Sequence, residues 1–262
     1  MIKSAARVAE LGTILGVWAH PDDEAYLSGG LMALASDTGS RVVCVTATRG
    51  ERGTPDPVQW PPERLAAART VEMGVCMEIL GVAEHHWLDY RDGECDAVPR
   101  SEAVERIATL IGQVRPDTVL TFGPDGITGH PDHQTIAQWT TEAFDRAAPA
   151  GARLLYSTFA QRRTARWDEL NQRLGIFPPG YPVVTPDDRL AVDLELNPAT
   201  AARKARALAA QQTQTEAVIA ELGLERYTAW VSGESFVEAA RRPDAAPAPA
   251  DAAAAGGDTL PM

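Results

Sequence analysis

Segments read as strands recur along this chain at 13–19, 41–47, 84–89, 117–123 and 153–159, most of them apolar runs rich in β-forming residues. Between them the apolar residues return every three or four positions, which predicts amphipathic helices near 24–38, 62–80, 99–115 and 131–147. Unbroken apolar runs are what strands buried on both faces require, and strands alternating with helices predict an α/β protein. The expected architecture is a three-layer, Rossmann-like fold with a mostly parallel sheet covered by helices on both faces. Further on, a proline-rich loop at 178–182 is followed by a strand at 189–196 and a long alanine-rich helix at 198–221, with Pro198 in its first turn. From Arg242 onward alanine and proline dominate, a composition that buries too little apolar surface to offset ordering. The reading is therefore one α/β domain over 1–241 and a disordered tail over 242–262.

Composition narrows the partners. With 45% hydrophobic and 23% charged residues the chain resembles an ordinary soluble protein. A formal charge of −12 disfavours nucleic acid, whose phosphate backbone needs a positive surface, and leaves a small polar substrate. No apolar stretch reaches the roughly 18 residues of a membrane span. Lys3 and Arg7 ahead of Thr13–Ala19 imitate the start of a signal sequence, but the run is short and no cleavage site follows. Cys44, Cys76 and Cys95 are scattered without disulfide or zinc-site spacing, which fits a reducing, cytoplasmic setting.

The candidate chemistry sits at the ends of two apolar runs. His20-Pro21-Asp22-Asp23-Glu24 follows the first, and Gly129-His130-Pro131-Asp132-His133 follows the fourth. A lone aspartate at such a turn is an ordinary helix N-cap. Two His-Pro-Asp clusters holding three of the chain's five histidines point instead to a divalent metal, since imidazole nitrogen and carboxylate oxygen are usual ligands of catalytic zinc. In open parallel sheets ligands bind beyond the carboxyl ends of the strands, where the strand order reverses. If the first and fourth strands are neighbours there, His20 and Asp23 face His133 across the crevice. His20 and Asp23, like His130 and His133, are three apart and share one side of a helical turn. Four candidate ligands exceed what zinc needs. Asp22 is then placed to act as general base, His130 to protonate the leaving group or stabilise an oxyanion, and Glu24 and Asp132 to orient imidazoles. A non-haem iron oxygenase also uses two histidines and a carboxylate, but from a His-x-Asp pair on a strand. A noncatalytic metal-binding protein would have no use for Asp22 or His130.

The two motifs, A-H-P-D-D-E after a first strand and G-H-P-D-H after a later one, resemble those of the PIG-L and LmbE-like family of zinc-dependent N-acetylglucosaminyl deacetylases. The resemblance covers residues 12–240 and implies that His20, Asp23 and His133 bind zinc, that Asp22 is the general base, and that His130 assists as acid or oxyanion stabiliser. It further implies sugar contacts from Arg69 and Asp92, and a glycine-rich loop at Thr48–Gly53. The implied reaction is hydrolysis of an N-acetyl group on an N-acetylglucosamine-containing small molecule, releasing acetate, with an amidase acting on a larger amide of a glucosaminyl thiol conjugate as the neighbouring alternative. Zinc is the implied cofactor, and ferrous iron suits the same nitrogen and oxygen donors. Two positions depart from the family pattern: Thr128 stands where some members carry tyrosine, and Gln211 where many carry histidine. His85 and His86 fall at a strand start, on the far edge from the site, and read as structural, while Trp18 and Trp87 read as core. Trp230 and Tyr227 are candidates for a substrate mouth that spacing does not decide.

Overall fold

The computed structural model describes residues 1–54 and 56–240; the tail expected over 242–262 lies outside them. After a 3-10 turn at Ala5–Leu11 the chain runs β1 (Ile14–Trp18), α1 (Asp23–Asp37), β2 (Val42–Thr48), α2 (Pro62–Leu80), β3 (Glu84–Tyr90), α3 (Arg100–Val114) and β4 (Thr118–Phe122). It continues through α4 (Gly126–Gly129), α5 (Pro131–Ala147), β5 (Arg153–Ala160), α6 (Gln161–Leu174), β6 (Val184–Thr185), β7 (Val192–Glu195), α7 (Pro198–Ala209), α8 (Gln212–Leu222), α9 (Leu224–Trp230) and β8 (Gly233–Glu238).

The main sheet has the order β3-β2-β1-β4-β5-β8-β7, with β6 added to the end of β5. Strands β1 to β5 are parallel, and β8 lies antiparallel between β5 and β7. Every residue of β1, β2 and β4 is buried, as continuous apolar runs covered on both faces require. Helices α1, α2 and α7 pack together on one face, and α3 pairs with α5 on the other. The β1 connection leads towards β2 and the β4 connection towards β5, so the order reverses between β1 and β4, which pair from Ile14 with Thr118 to Gly16 with Leu120. The two ligand motifs therefore open into one crevice.

Three differences from the sequence reading matter. The expected helix at 198–221 is broken into α7 and α8 at Gln211, whose backbone leaves the helical region. The expected strand at 189–196 shortens to Val192–Glu195 behind a 3-10 turn at Asp187–Arg189. Helices α6 and α9 and strand β8 have no counterpart in the hydrophobic pattern. Among the described residues no helix is long and apolar enough to cross a membrane.

Inside the α1 face a buried ion pair is built into a helix. Lys204 Nζ of α7 lies 2.7 Å from Glu234 Oε1 of β8, both side chains being fully shielded from solvent. Lys204 also donates to the carbonyl of Tyr26, and Glu234 accepts from the amides of Gly30 and Leu31. The α-helical ladder pairs those same amides with the carbonyls of Tyr26 and Leu27. The ion pair thus joins α1, α7 and β8 through the middle of α1.

Candidate active site

Beyond β1 the chain turns through Ala19 and His20 and enters α1 at Asp23; beyond β4 it turns through Gly123–Asp125 and the short α4 into α5. Asp22 adopts φ 102°, a conformation that costs a side chain other than glycine of the order of 1–3 kcal/mol. Three contacts hold it there. Its amide donates to Glu24 Oε2 at 3.1 Å, its carbonyl accepts from Ala25 and Tyr26, and Arg69 donates to the preceding carbonyl of Pro21. Arg69 also donates to the carbonyl of Gly50 and lies 3.5 Å from Asp22 Oδ2. Gly50 sits at φ 63° against this guanidinium, so both its backbone angle and the absent Cβ let Arg69 pass.

Three residues converge, Asp23 through both of its carboxylate oxygens. His20 Nδ1 lies 3.2 Å from His133 Nε2 and 3.6 Å from Asp23 Oδ2, and His133 Nε2 lies 3.4 Å from Asp23 Oδ1. Tetrahedral coordination with bonds of about 2.0–2.1 Å needs donor separations of about 3.3–3.4 Å, so these residues fit a divalent metal. The opposite nitrogens are occupied in the sense that suits it. His133 Nδ1 faces the carbonyl of Gly126 at 2.9 Å, and His20 Nε2 faces Asp92 Oδ1 and Asp132 Oδ2, each at 3.1 Å. Protons on those nitrogens leave the lone pairs of His20 Nδ1 and His133 Nε2 pointing at the shared centre. The ring of His133 is further fixed by stacking on Phe122, with centroids 4.2 Å apart.

The surrounding carboxylates are anchored by backbone amides. Asp132 accepts from Gly93 and Cys95, and Asp92 accepts from Arg52. Asp132 therefore lies against the His20 imidazole with both of its oxygens held by the backbone. Asp92, expected at the sugar, also holds His20. Glu24 corrects the reading: it contacts no imidazole. One residue further round α1 than Asp23, it points towards α2 and α8, where Oε1 accepts from Gln211 Nε2 at 2.8 Å and Cys76 Sγ at 3.5 Å while Oε2 holds the Asp22 amide. The capping role also moves. Neither Asp22 nor Asp23 caps α1; Asp23 instead accepts from the amide of His20 behind it, and the caps are Asp125 on α4 and His130 on α5.

His130 Nδ1 accepts from the amide of Asp132 at 3.1 Å, so Nε2 carries the proton of the neutral ring and is the nitrogen free for chemistry. Its ring centroid lies 4.9 Å from that of His20 and 5.1 Å from that of His133. Candidate metal groups among the described residues are His20-His130-His133 and His20-Asp92-Asp132, both sharing His20.

The electrostatics separate two neighbouring aspartates. Burial pushes the Asp22 carboxyl up to about 7, against the pull of Arg69 and with the help of Asp23. Asp23 is held down at about 2, because the charge of His133 and the bonds from His20 outweigh its burial. Burial also lowers His130 and His133, whereas His20, despite burial, is raised well above the ordinary value by Asp132, Asp23 and Asp92. Glu24 is pushed up to about 8 by burial and by Asp22.

These groups open into a cavity of about 660 Å³, which Asp22, Arg69, Asp92, Thr128, His130 and Gln214 help to line. Thr128 Oγ1 lies 3.4 Å from His133 Nδ1, and Gln211 is buried beneath the site against Glu24. Trp230 reaches the cavity, whereas Tyr227 is fully buried and donates to Tyr26 Oη. His85 and His86 lie on β3, away from the cavity, with His85 against Thr46 and Trp87. The sequence pattern does not point to Arg52, Gln214 or the wall contributed by α6, while Trp230 of α9 stands among its mouth candidates. Arg52 alone carried a signal, lying within the glycine-rich Thr48–Gly53 loop.

The sequence matches the PIG-L family, described as GlcNAc-PI de-N-acetylase, over residues 15–144, the stretch that carries both motifs. A 1D-myo-inositol 2-acetamido-2-deoxy-alpha-D-glucopyranoside deacetylase of Streptomyces avermitilis is 30% identical over 244 residues, covering 78% of this chain and 83% of the relative. The chain belongs to the PIG-L family. A second relative of the same description, from Kineococcus radiotolerans, is 37% identical over 180 residues, covering 58% of this chain; the match spans half of that relative's length. Among solved structures, the N,N'-diacetylchitobiose deacetylase from Pyrococcus horikoshii superposes with a TM-score of 0.59 at 22% identity, over 90% of this chain and 87% of its own. That likeness places this PIG-L chain in the same α/β fold.

Proposed function

We propose that this PIG-L protein is a metal-dependent hydrolase that removes the N-acetyl group from an N-acetylglucosamine-containing small molecule, releasing acetate and a free amine. The observation that carries the reading is the triangle of His20 Nδ1, Asp23 and His133 Nε2, with Asp22 beside it and His130 across from it, at the mouth of a cavity. His20, Asp23 and His133 hold the metal, with zinc as the expected ion and ferrous iron as an acceptable one. When bound, the metal polarises the acetyl carbonyl and makes water a stronger nucleophile.

Asp22 takes the proton of the attacking water; a carboxyl near 7 is matched to that exchange at neutral pH. Arg69 and the Glu24 carboxyl group keep Asp22 in place beside the centre. His130 donates a hydrogen bond from Nε2 to the developing oxyanion, and the proton that Asp22 takes from water passes to the departing amine. Asp92 and Asp132 hold the His20 ring, and the unused lone pairs of Asp92, together with Arg69, meet sugar hydroxyls. The three cysteines are free and buried, which supports the cytoplasmic reading.

Acetate release by the zinc-loaded protein from a panel of N-acetylglucosaminides tests the proposal. Release of acetate with formation of the free amine is the expected result. Cleavage of larger glucosaminyl amides without acetate release replaces it with the amidase reading.

A further inference from the structure

The cavity has two unlike walls, and the strand order explains why. On the β2 and β3 side of the His20–His133 centre the lining comes from Arg52, Gly53, Arg69, Asp92, Gly93 and, from α8, Gln214. This wall carries charge and hydrogen-bonding groups. On the β5 and β8 side the lining is built largely from Leu27, Phe159, Trp167, Ile176, Phe177 and Trp230. Phe159 and Phe177 meet edge to face with centroids 5.2 Å apart, and Trp230 packs against Tyr26 at 6.2 Å.

Several polar residues on the second side spend bonds within the protein, although Arg163 Nε keeps no hydrogen-bond partner. Glu234 is held by Lys204, Gly30 and Leu31, and Arg163 by Asp193, Ser235 and the carbonyl of Leu194. Thr158 bonds Thr185, Thr164 bonds the carbonyl of Ala160, and Asn171 accepts from Trp230 Nε1. The larger part of what remains on offer is aromatic and aliphatic surface. Trp167 sharpens the point: it is a half-buried indole on α6, whose sequence is otherwise mostly polar, and it faces the cavity.

We infer that the amino-sugar substrate carries an apolar aglycone, aromatic or alkyl, which lies against the Phe159, Trp167, Phe177 and Trp230 wall while the sugar lies against Arg69 and Asp92. The inference rests on the deacetylase reading, which fixes the acyl group as acetyl and leaves the aglycone as the part that reaches the opposite wall. A polyhydroxylated aglycone would lose its hydration there while finding few free partners, whereas an apolar one gains by leaving water.

The experiment compares kcat/KM for phenyl and methyl N-acetylglucosaminides, in both anomeric forms, with methyl N-hexanoylglucosaminide as a control for the acyl side. Burying a ring of this size is expected to favour the phenyl substrate by roughly 10- to 100-fold. Trp167→Gln and, separately, Phe177→Asn should bring the phenyl-to-methyl ratio close to one; these positions lie on α6 and the loop after it, outside the sheet. Acetate release with equal efficiency on phenyl and methyl substrates overturns the inference and leaves the deacetylase reading standing. Preference for the hexanoyl over the acetyl methyl glycoside overturns it by assigning the wall to the acyl chain. If no substrate releases acetate, the deacetylase reading fails, and tryptophan emission decides the wall separately. A Kd at least tenfold lower for the phenyl than for the methyl glycoside supports the apolar site, and equal values overturn it.

Discussion

Replacing Lys204 by methionine is expected to destabilise the fold by about 3–5 kcal/mol, the range for breaking one side of a buried ion pair. The structure shows where the loss comes from. Lys204 Nζ makes two hydrogen bonds, to Glu234 Oε1 and to the Tyr26 carbonyl, each 2.7 Å long. Hydrogen bonds involving a charged group are worth roughly 1.5–3 kcal/mol each. Without the ammonium, Glu234 remains fully shielded and keeps only the amides of Gly30 and Leu31. Burial pulls the Lys204 ammonium below the ordinary lysine value while Glu234 pulls it back, so the pair is a balance of desolvation against attraction. The double replacement Lys204→Met with Glu234→Leu removes both buried charges, leaving the Gly30 and Leu31 amides within the continuous helix α1. It should therefore lie within about 2 kcal/mol of the unmodified protein, giving a coupling energy of at least about 2 kcal/mol in a double-mutant cycle. Urea unfolding followed by far-UV circular dichroism measures all four proteins at one metal concentration. A loss below about 1 kcal/mol for Lys204→Met, or additive losses in the double variant, would refute the reasoning.

The other predictions concern the site and one distant histidine. Asp22→Asn, which suits the unusual backbone angle better than alanine does, should keep its metal and lose on the order of 10²-fold or more in turnover; loss of metal would mean that Asp22 and Asp23 have exchanged roles. His133→Ala should purify with little metal by elemental analysis, and full retention would remove His133 from the ligand set. Burial, His86 and Arg49 lower His85 to about 4, so folding favours its neutral ring. Its contribution is fully present above the unfolded value near 6.5 and falls away as the pH drops towards 4, by about 1–2 kcal/mol once solvent screening of this partly exposed ring is allowed for. His85→Asn should reduce the difference in urea midpoint between pH 7.5 and pH 4.5, and an unchanged difference would contradict the assignment.

Elements whose side chains repeat the pattern of their own burial were legible in the sequence. Strands β1, β2 and β4 are apolar throughout because they are buried throughout, and α2 and α5 follow the expected spans. Strand β8, Gly233–Glu238, escaped notice because it carries a buried glutamate whose partner arrives from α7. Helix α6 has a long polar face and so few apolar residues that it resembles a loop, and the break at Gln211 depends on a bond to Glu24 that chain order does not reveal. In the candidate site, the groups that converge, His20, Asp23 and His133, come from two short contiguous motifs. What was hidden is that His20 is held by Asp92 from beyond β3, and that Glu24, immediately after a candidate ligand, faces away from the metal centre. Local motifs name the donors; the orienting groups come from elsewhere in the chain.

The N-terminus is tied to the far end of the sequence, which has a consequence for synthesis on the ribosome. Ile2 bridges Val192, and its amide and carbonyl pair with Ala191 and Asp193. The amides of Gly30 and Leu31 likewise wait for Glu234. At about 5–20 residues per second, these early segments emerge roughly 10 to 40 s before their partners are translated. Late in that interval β1 to β5 are available, yet the edge of β5 later covered by β8 still waits for that strand. An uncovered strand edge invites pairing with another chain. The nascent protein is therefore most exposed to misassembly in the interval between completion of β5 and arrival of β8, well after the segment bearing both metal-ligand motifs has left the ribosome.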